Sequence, residues 1–229
     1  MELYIGNKNY SSWSLRAWLM LEKSEIKFDE IKLRLFTTDF YHQLEKISPS
    51  LRVPVIVDGN ITVWDSLAIC EYINDTYISG TAWPKDPAQK ATARSLACEM
   101  HSGFNALRNE LPMNIRATRS IELSKAAKQD IKRIDELWSQ QMAEFDLQHS
   151  GSWLFGEWSI ADMMFAPVVM RFNTYDIKIS NASHRYMKHV IESPEMQRWI
   201  AAALKETDIV DEDEAGIELH TTPTAIHST

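Results

Sequence analysis

The stretch Asn9-Tyr10-Ser11-Ser12-Trp13-Ser14-Leu15-Arg16 follows a short apolar run, Leu3-Tyr4-Ile5, and opens a helical spacing of apolar residues at Leu15, Trp18 and Leu19. It places hydroxyl groups where a strand runs into a helix. The first backbone N–H groups of a helix have no partner inside it, and the aligned peptide dipoles add about half a positive charge there. An anion is favoured at such a junction, and a bound thiol is drawn toward its thiolate. Serine is also a common N-cap, so Ser11 or Ser12 taken alone marks only where a helix starts.

Further along, Ser48-Pro49-Ser50-Leu51-Arg52-Val53-Pro54-Val55-Ile56-Val57-Asp58-Gly59-Asn60 reads as a loop entering an edge strand and leaving it by a turn. Pro54 has no N–H for a sheet ladder, and an X-Pro bond is the usual place for a cis peptide. Such a kink leaves the Val53 backbone groups free to face a ligand. The Asp58-Gly59-Asn60 turn joins this strand to Ile61-Thr62-Val63-Trp64 as a hairpin. Directly afterwards, Asp65 and Ser66 open a helical pattern with apolar positions at Leu67, Ile69, Cys70 and Ile73. Two strand-to-helix junctions on either side of a proline kink form a combination much less common than any of its parts.

Together these segments resemble the cytosolic glutathione transferases. Ser-Ser-Trp-Ser-Leu-Arg is most similar to the zeta-like, maleylacetoacetate-isomerase-like bacterial branch, whose motif is a double serine followed by Cys and then Arg. The resemblance implies a thioredoxin-like N-terminal domain in which a serine hydrogen-bonds the glutathione thiolate; Ser11 matches the first serine and Ser12 the second, and the alignment favours Ser11. It assigns Val53 and Pro54 to the glutathione backbone, Asp65 and Ser66 to its γ-glutamyl end, and Arg16 to the same binding set. It also places an electrophile pocket between the first helices of the second domain and the loop after the first strand, with Met100, Phe104 and Arg108 as wall. Trp13 stands where zeta members carry a cysteine, so omega-type and glutaredoxin-type chemistry loses its nucleophile. The implied activity is transfer of the glutathione thiolate to a small electrophile, with no metal and in a homodimer. Glutathione-dependent cis–trans isomerisation, glutathione-dependent peroxidase or reductase chemistry, and a non-catalytic module on the same scaffold are the alternatives.

The remaining organisation is expected to be α/β plus all-α. Residues 1–79 read as strand, helix, strand, helix, strand, strand, helix (βαβαββα), and Gly80, Pro84 and Pro87 interrupt the pattern in a linker at 80–87. Residues 88–206 are helical in spacing throughout, a helical bundle with segments at 89–111, 125–148, 162–173, 184–191 and 194–205. In Ser159-Ile160-Ala161-Asp162, a Ser-x-x-Asp arrangement precedes the apolar run Met163–Met170 and predicts a capped, buried helix. His101 falls on the first long helix as a packed or solvated residue.

The formal charge of −8 over 229 residues is concentrated at the C-terminal end, where seven acids from Glu206 onward meet no Lys or Arg. Removing them leaves −1 for residues 1–205, with no basic stripe to support nucleic-acid binding. The acidic segment 207–229 is expected to be a mobile tail. Two cysteines, Cys70 and Cys98, are too few for a disulfide framework and are expected to be reduced. No apolar run reaches the ~18 residues of a membrane span. The expectation is a cytoplasmic protein without membrane or nucleic-acid partners.

Overall fold

The computed structural model describes residues 1–146 and 152–220. Its N-terminal part follows the expected order: β1 (Glu2–Ile5), α1 (Ser12–Lys23), β2 (Asp29–Lys32), α2 (Thr38–Leu44), β3 (Val55–Asp58), β4 (Ile61–Trp64) and α3 (Ser66–Thr76). The four strands form one sheet in the order β2-β1-β3-β4. β1 runs parallel to β2 and antiparallel to β3, with Leu3 opposite both Glu30 and Ile56. Leu3, Ile5 and Ile56 are fully buried, because α1 and α3 lay their apolar stripes over this face. A smaller core of Leu33, Phe40, Leu44 and Val55 holds α2 at the other face.

The helical part comprises α4 (Pro87–Ser102), α5 (Asn105–Glu110), α6 (Lys125–Asp146), α7 (Ile160–Thr174), α8 (Asn181–Glu192) and α9 (Pro194–Ala203). The single helix expected over 89–111 is broken at Gly103-Phe104. A Cβ on Gly103 would lie 2.7 Å from the Glu99 carbonyl oxygen, and Phe104 has a φ of 56°, so the chain turns sharply into α5. The segment expected to reach residue 148 is helical to Asp146, and its last two residues lie outside the described residues.

α7 is buried along almost its whole length and packs on both α1 and α4. Its start is fixed as expected. The fully buried Asp162 carboxylate accepts the N–H and the hydroxyl of Ser159 at 2.8 and 3.0 Å, and the Leu154 N–H at 3.2 Å. Burial pushes its carboxyl up to about 6 while these three donors pull the other way.

The segment after α9 departs from expectation. Residues 211–213 form a 3₁₀ turn, and β6 (Ile217–His220) pairs antiparallel with β5 (Thr118–Ser120). A mobile tail from 207 is therefore not what residues 207–220 form; residues 221–229 lie outside the described residues. The cause is charge complementarity with a basic stretch before α6. The Arg119 guanidinium, 6% exposed, donates to the Glu214 carboxylate and to the Glu214 and Ala215 carbonyls, and Arg116 donates to the carbonyls of Glu206 and Asp208.

Two stability measurements follow. Asp162→Ala leaves three buried donors without an acceptor and is expected to cost about 2–4 kcal/mol. The thermal midpoint should fall with activity per folded molecule unchanged; an unchanged midpoint contradicts the capping role. Glu214→Ala takes the near carboxylate from the buried Arg119 guanidinium, which keeps only backbone carbonyls and the more distant Glu218, and should cost about 2–3 kcal/mol. That lowers the midpoint by roughly 5–10 °C, whereas a loss under about 1 °C would mean that the segment adds nothing to the fold.

Candidate active site

The two strand-to-helix junctions line a cleft of two adjoining lobes, the larger walled by both the sheet unit and the helical unit and the smaller by the sheet unit alone. Its larger lobe, about 660 Å³, is lined by Tyr10, Ser11, Ser12 and Trp13 from the first junction. Arg52, Val53, Arg108 and Arg171 form its opposite sides, with Asp213 at the edge. A smaller lobe of about 280 Å³ is lined by Trp13, Arg52, Val53, Pro54, Trp64, Asp65 and Ser66. Trp13, Ser50, Arg52 and Val53 line both lobes, which adjoin there.

At the first junction, Ser11 is the N-cap residue of α1 and Ser12 its first helical residue. The Ser11 hydroxyl donates to Ser14 Oγ at 2.7 Å, and Ser14 Oγ also accepts the Gly6 N–H at 3.1 Å. Ser12 Oγ accepts from Arg171 Nη2 at 3.1 Å, which leaves its own O–H free to donate. The helix start adds the orphan amides of the first turn.

At the second junction, Val53–Pro54 is a cis peptide and Val53 precedes the first paired residue of β3. The Asp65 carboxylate caps α3, accepting the Leu67 and Ala68 N–H groups at 2.9 and 3.2 Å on Oδ1. Asp65 has φ 73° and ψ 131°, a region that costs a non-glycine residue about 1–3 kcal/mol and is here held in place by the cap. Its other oxygen, Oδ2, lies 3.2 Å from His101 Nε2. Ser66 is 1% exposed, and its hydroxyl has no partner among the described residues. A buried orphan hydroxyl beside a carboxylate at a helix start fits a zwitterionic ligand end, offering a donor for its carboxylate and an anion for its ammonium.

Three guanidinium groups crowd this region. Trp13 is stacked between Arg16 and Arg108, whose charged carbons lie 4.4 and 4.5 Å from its ring, and His101 meets it edge-on at 5.5 Å. Burial, then the charges of Arg108 and Arg171, lower Arg16 to about 9; burial lowers Arg171 to about 10, with Asp213 opposing. Burial also pushes His101 down, against the pull of Asp65. Asp213 itself is raised to about 6 by burial.

The structure thus brings together Ser11, Ser12, Val53, Pro54, Asp65, Ser66 and Arg108. Arg16 is placed elsewhere: it is 3% exposed behind Trp13, its Nε donates to the Met164 carbonyl at 3.1 Å, and it lines neither lobe. Met100 and Phe104 belong to the core and line neither lobe: Met100 lies on α4, which packs on α7, and Phe104 at the turn into α5. His101, expected as a bystander, is the partner of Asp65. Arg171 and Asp213 were missed. A lone arginine in the apolar run of α7 was a readable signal, whereas an acid in an acidic run carried none. Among the described residues no group of three or more His, Cys, Asp or Glu is arranged to hold a metal ion, and no helix is long and apolar enough to cross a membrane.

A four-stranded sheet of thioredoxin type followed by a helical unit, with a cleft between them that starts at a serine-bearing helix end, defines the glutathione transferase fold. Residues 10–76 match the glutathione S-transferase N-terminal domain. A probable maleylacetoacetate isomerase from Caenorhabditis elegans is 27% identical over 181 residues, covering 78% of this chain and 81% of that protein. Glutathione S-transferase 1-6 from Anopheles dirus species B shares the fold at a TM-score of 0.70 with 19% identity, over 89% of this chain and 95% of that one. A Burkholderia glutathione transferase homolog with bound glutathione does so at 0.67 with 21% identity, over 88% and 96%. Residues 10–76 thus carry a glutathione S-transferase N-terminal domain, and the chain as a whole has the fold of the glutathione transferases.

The lesser lobe yields one prediction. With Asp65 expected to hold the γ-glutamyl ammonium, a contact of a kind worth about 1.5–3 kcal/mol, Asp65→Asn should raise the glutathione KM by about tenfold or more with kcat little changed. Ser66→Ala should act in the same direction, more weakly. An unchanged KM in a folded Asp65→Asn variant removes Asp65 from the site.

Proposed function

We propose that this protein is a glutathione transferase that activates the glutathione sulfur at the N-terminus of α1 and directs it at a small electrophile in the larger lobe. The observation that supports this reading is that the lobe lined by Asp65 and Ser66 and the lobe lined by the serine pair adjoin, sharing Trp13 and Val53 in their walls. The γ-glutamyl end belongs in the smaller lobe, the peptide along Val53-Pro54, and the sulfur beside the serines.

A free thiol, with a pKa of about 8.5, is only a few per cent ionised at neutral pH. A hydroxyl donor, the first-turn amides and nearby guanidinium charge all favour the thiolate. Ser12 is the serine we assign to the sulfur. Its O–H is free and Arg171 polarises its oxygen, whereas the Ser11 hydroxyl is spent on Ser14 and fixes the helix start. The thiolate then attacks an electrophilic carbon and expels a leaving group, or adds to a conjugated double bond.

The second outcome allows a second reading, glutathione-dependent cis–trans isomerisation, in which the adduct rotates and releases the thiolate. Arg52, Arg108 and Arg171 around the larger lobe favour it, because three guanidinium groups suit a substrate bearing carboxylates. A peroxidase or reductase role, or binding without turnover, has no feature in its favour beyond the same glutathione subsite. A homodimer in the cytoplasm goes with the family reading; the exposed Ile61, Trp64 and Tyr77 are apolar surface available to a second copy.

Turnover of an aryl halide, a maleyl compound and a hydroperoxide separates these activities. Ser12→Ala should lower kcat/KM for the substrate turned over by about tenfold to a thousandfold, on the scale of losing one oxyanion-type donor. Ser11→Ala should cost less. The reverse order reassigns the sulfur to Ser11, and turnover of none of the three compounds contradicts the transferase reading.

A further inference from the structure

The loop that presents the serines is held from the far end of the chain. Between β1 and α1, the Tyr10 and Ser11 N–H groups both donate to the Asn7 carbonyl, at 3.1 and 2.8 Å, and make one tight turn. The amides of Lys8 and Asn9 end instead on one carboxylate. Glu206 accepts the Lys8 N–H on Oε1 and the Asn9 N–H on Oε2, both at 3.0 Å. Its side chain is 6% exposed, and its third partner is Lys32 Nζ at 3.2 Å. Two successive amides on two oxygens of one carboxylate are charge-assisted bonds that fix a backbone direction as well as a distance.

The residues around this clamp brace it. Arg116 donates to the Glu206 and Asp208 carbonyls, and its own N–H donates to Asn9 Oδ1 at 2.8 Å. Asn9 Nδ2 donates to Asn114 Oδ1 at 2.9 Å, and Asn7 Nδ2 to Asp208 Oδ2 at 3.0 Å. Asn7, Lys8 and Asn9 are therefore each tied to the segment 206–208 or to 114–116, one to three residues before the Tyr10-Ser11-Ser12 wall of the cleft. A donor to a thiolate works by being in place before the charge forms, and a displacement of about 1 Å at such a donor can cost on the order of a hundredfold.

We propose that Glu206 is a positioning residue for thiolate activation: by clamping the Lys8 and Asn9 amides it sets where the first turn of α1 presents Ser11 and Ser12. It acts through the loop and touches no substrate. The proposal rests on the transferase reading and adds that the acidic segment after α9 is part of the machinery of the site.

The test is Glu206→Gln, which keeps the shape of the side chain but turns an N–H donor toward one of the two amides. Three quantities are compared with wild type: hydrogen exchange of the Lys8 and Asn9 amides without ligand, the ultraviolet thiolate absorbance of bound glutathione against pH, and steady-state kinetics. Exchange at both amides should quicken about tenfold or more, and the thiolate should titrate at higher pH. kcat/KM should fall by about tenfold to a hundredfold, the usual scale for a supporting partner, chiefly in kcat, because the Asp65–Ser66 subsite is untouched. Quickened exchange with an unchanged thiolate titration and unchanged kcat overturns the proposal and leaves Glu206 as a tie of the fold. If Glu206→Gln does not fold, Asp208→Asn, which loosens Asn7 of the same loop from a part-exposed carboxylate, is read in its place; a smaller shift in the same direction is expected, and no shift overturns the proposal. A wild-type protein that leaves the glutathione thiol at its free value sinks the transferase reading itself, while a lowered wild-type value matched by the variant sinks this inference alone.

Discussion

The structure depends on keeping three buried or half-buried guanidinium groups, Arg16, Arg108 and Arg171, around one helix start. Burial disfavours their charged forms, and the neighbouring guanidinium charges add to it, which is why Arg16 and Arg171 fall well below the ordinary arginine range. The surrounding chain compensates with carbonyls and an aromatic face. Arg16 has the Met164 carbonyl, Arg171 has those of Arg108 and Leu111, and Arg108 has those of His101 and Gly103. Trp13 lies between two of the charges. An anion placed in the adjoining lobe relieves the repulsion that remains, so the strain of assembling the site favours the charge state the chemistry needs.

That arrangement links the fold to the site at several points. Pro167 lies within α7, so the Met163 carbonyl lacks its helical donor, and the next carbonyl, of Met164, receives Arg16. The break at Gly103-Phe104 turns the chain into α5, whose Arg108 lies over the Trp13 ring. The acidic segment after α9 supplies Asp213 to the lobe and Glu214 to the Tyr10 hydroxyl, countering part of the positive charge.

How much of this could be read in the sequence follows from how local each signal is. Alternation, proline placement and Ser or Asp caps act within a few residues, and they gave the βαβαββα order, the hairpin and the Ser159–Asp162 box. The glutathione-facing positions came from the same junctions and needed a family resemblance to gain a role. Helix phase was harder: Met100 and Phe104 fall on one apolar stripe only if the helix runs on past Ser102, and the sequence does not say that it breaks there or that the core rather than the cleft takes both. The acidic segment was misread because seven acids without a lysine look solvated, while their partners Arg116 and Arg119 lie some ninety residues earlier. Long-range complementarity of this kind leaves no periodic trace.

The most direct test of the account is the thiolate absorbance of glutathione bound to the wild-type protein, titrated against pH at saturating protein. Hydroxyl, amide and guanidinium donors at the start of α1 predict that the bound thiol ionises about one to three units below its free value. Tight binding with ionisation at the free value would contradict the claim that this helix start activates the sulfur.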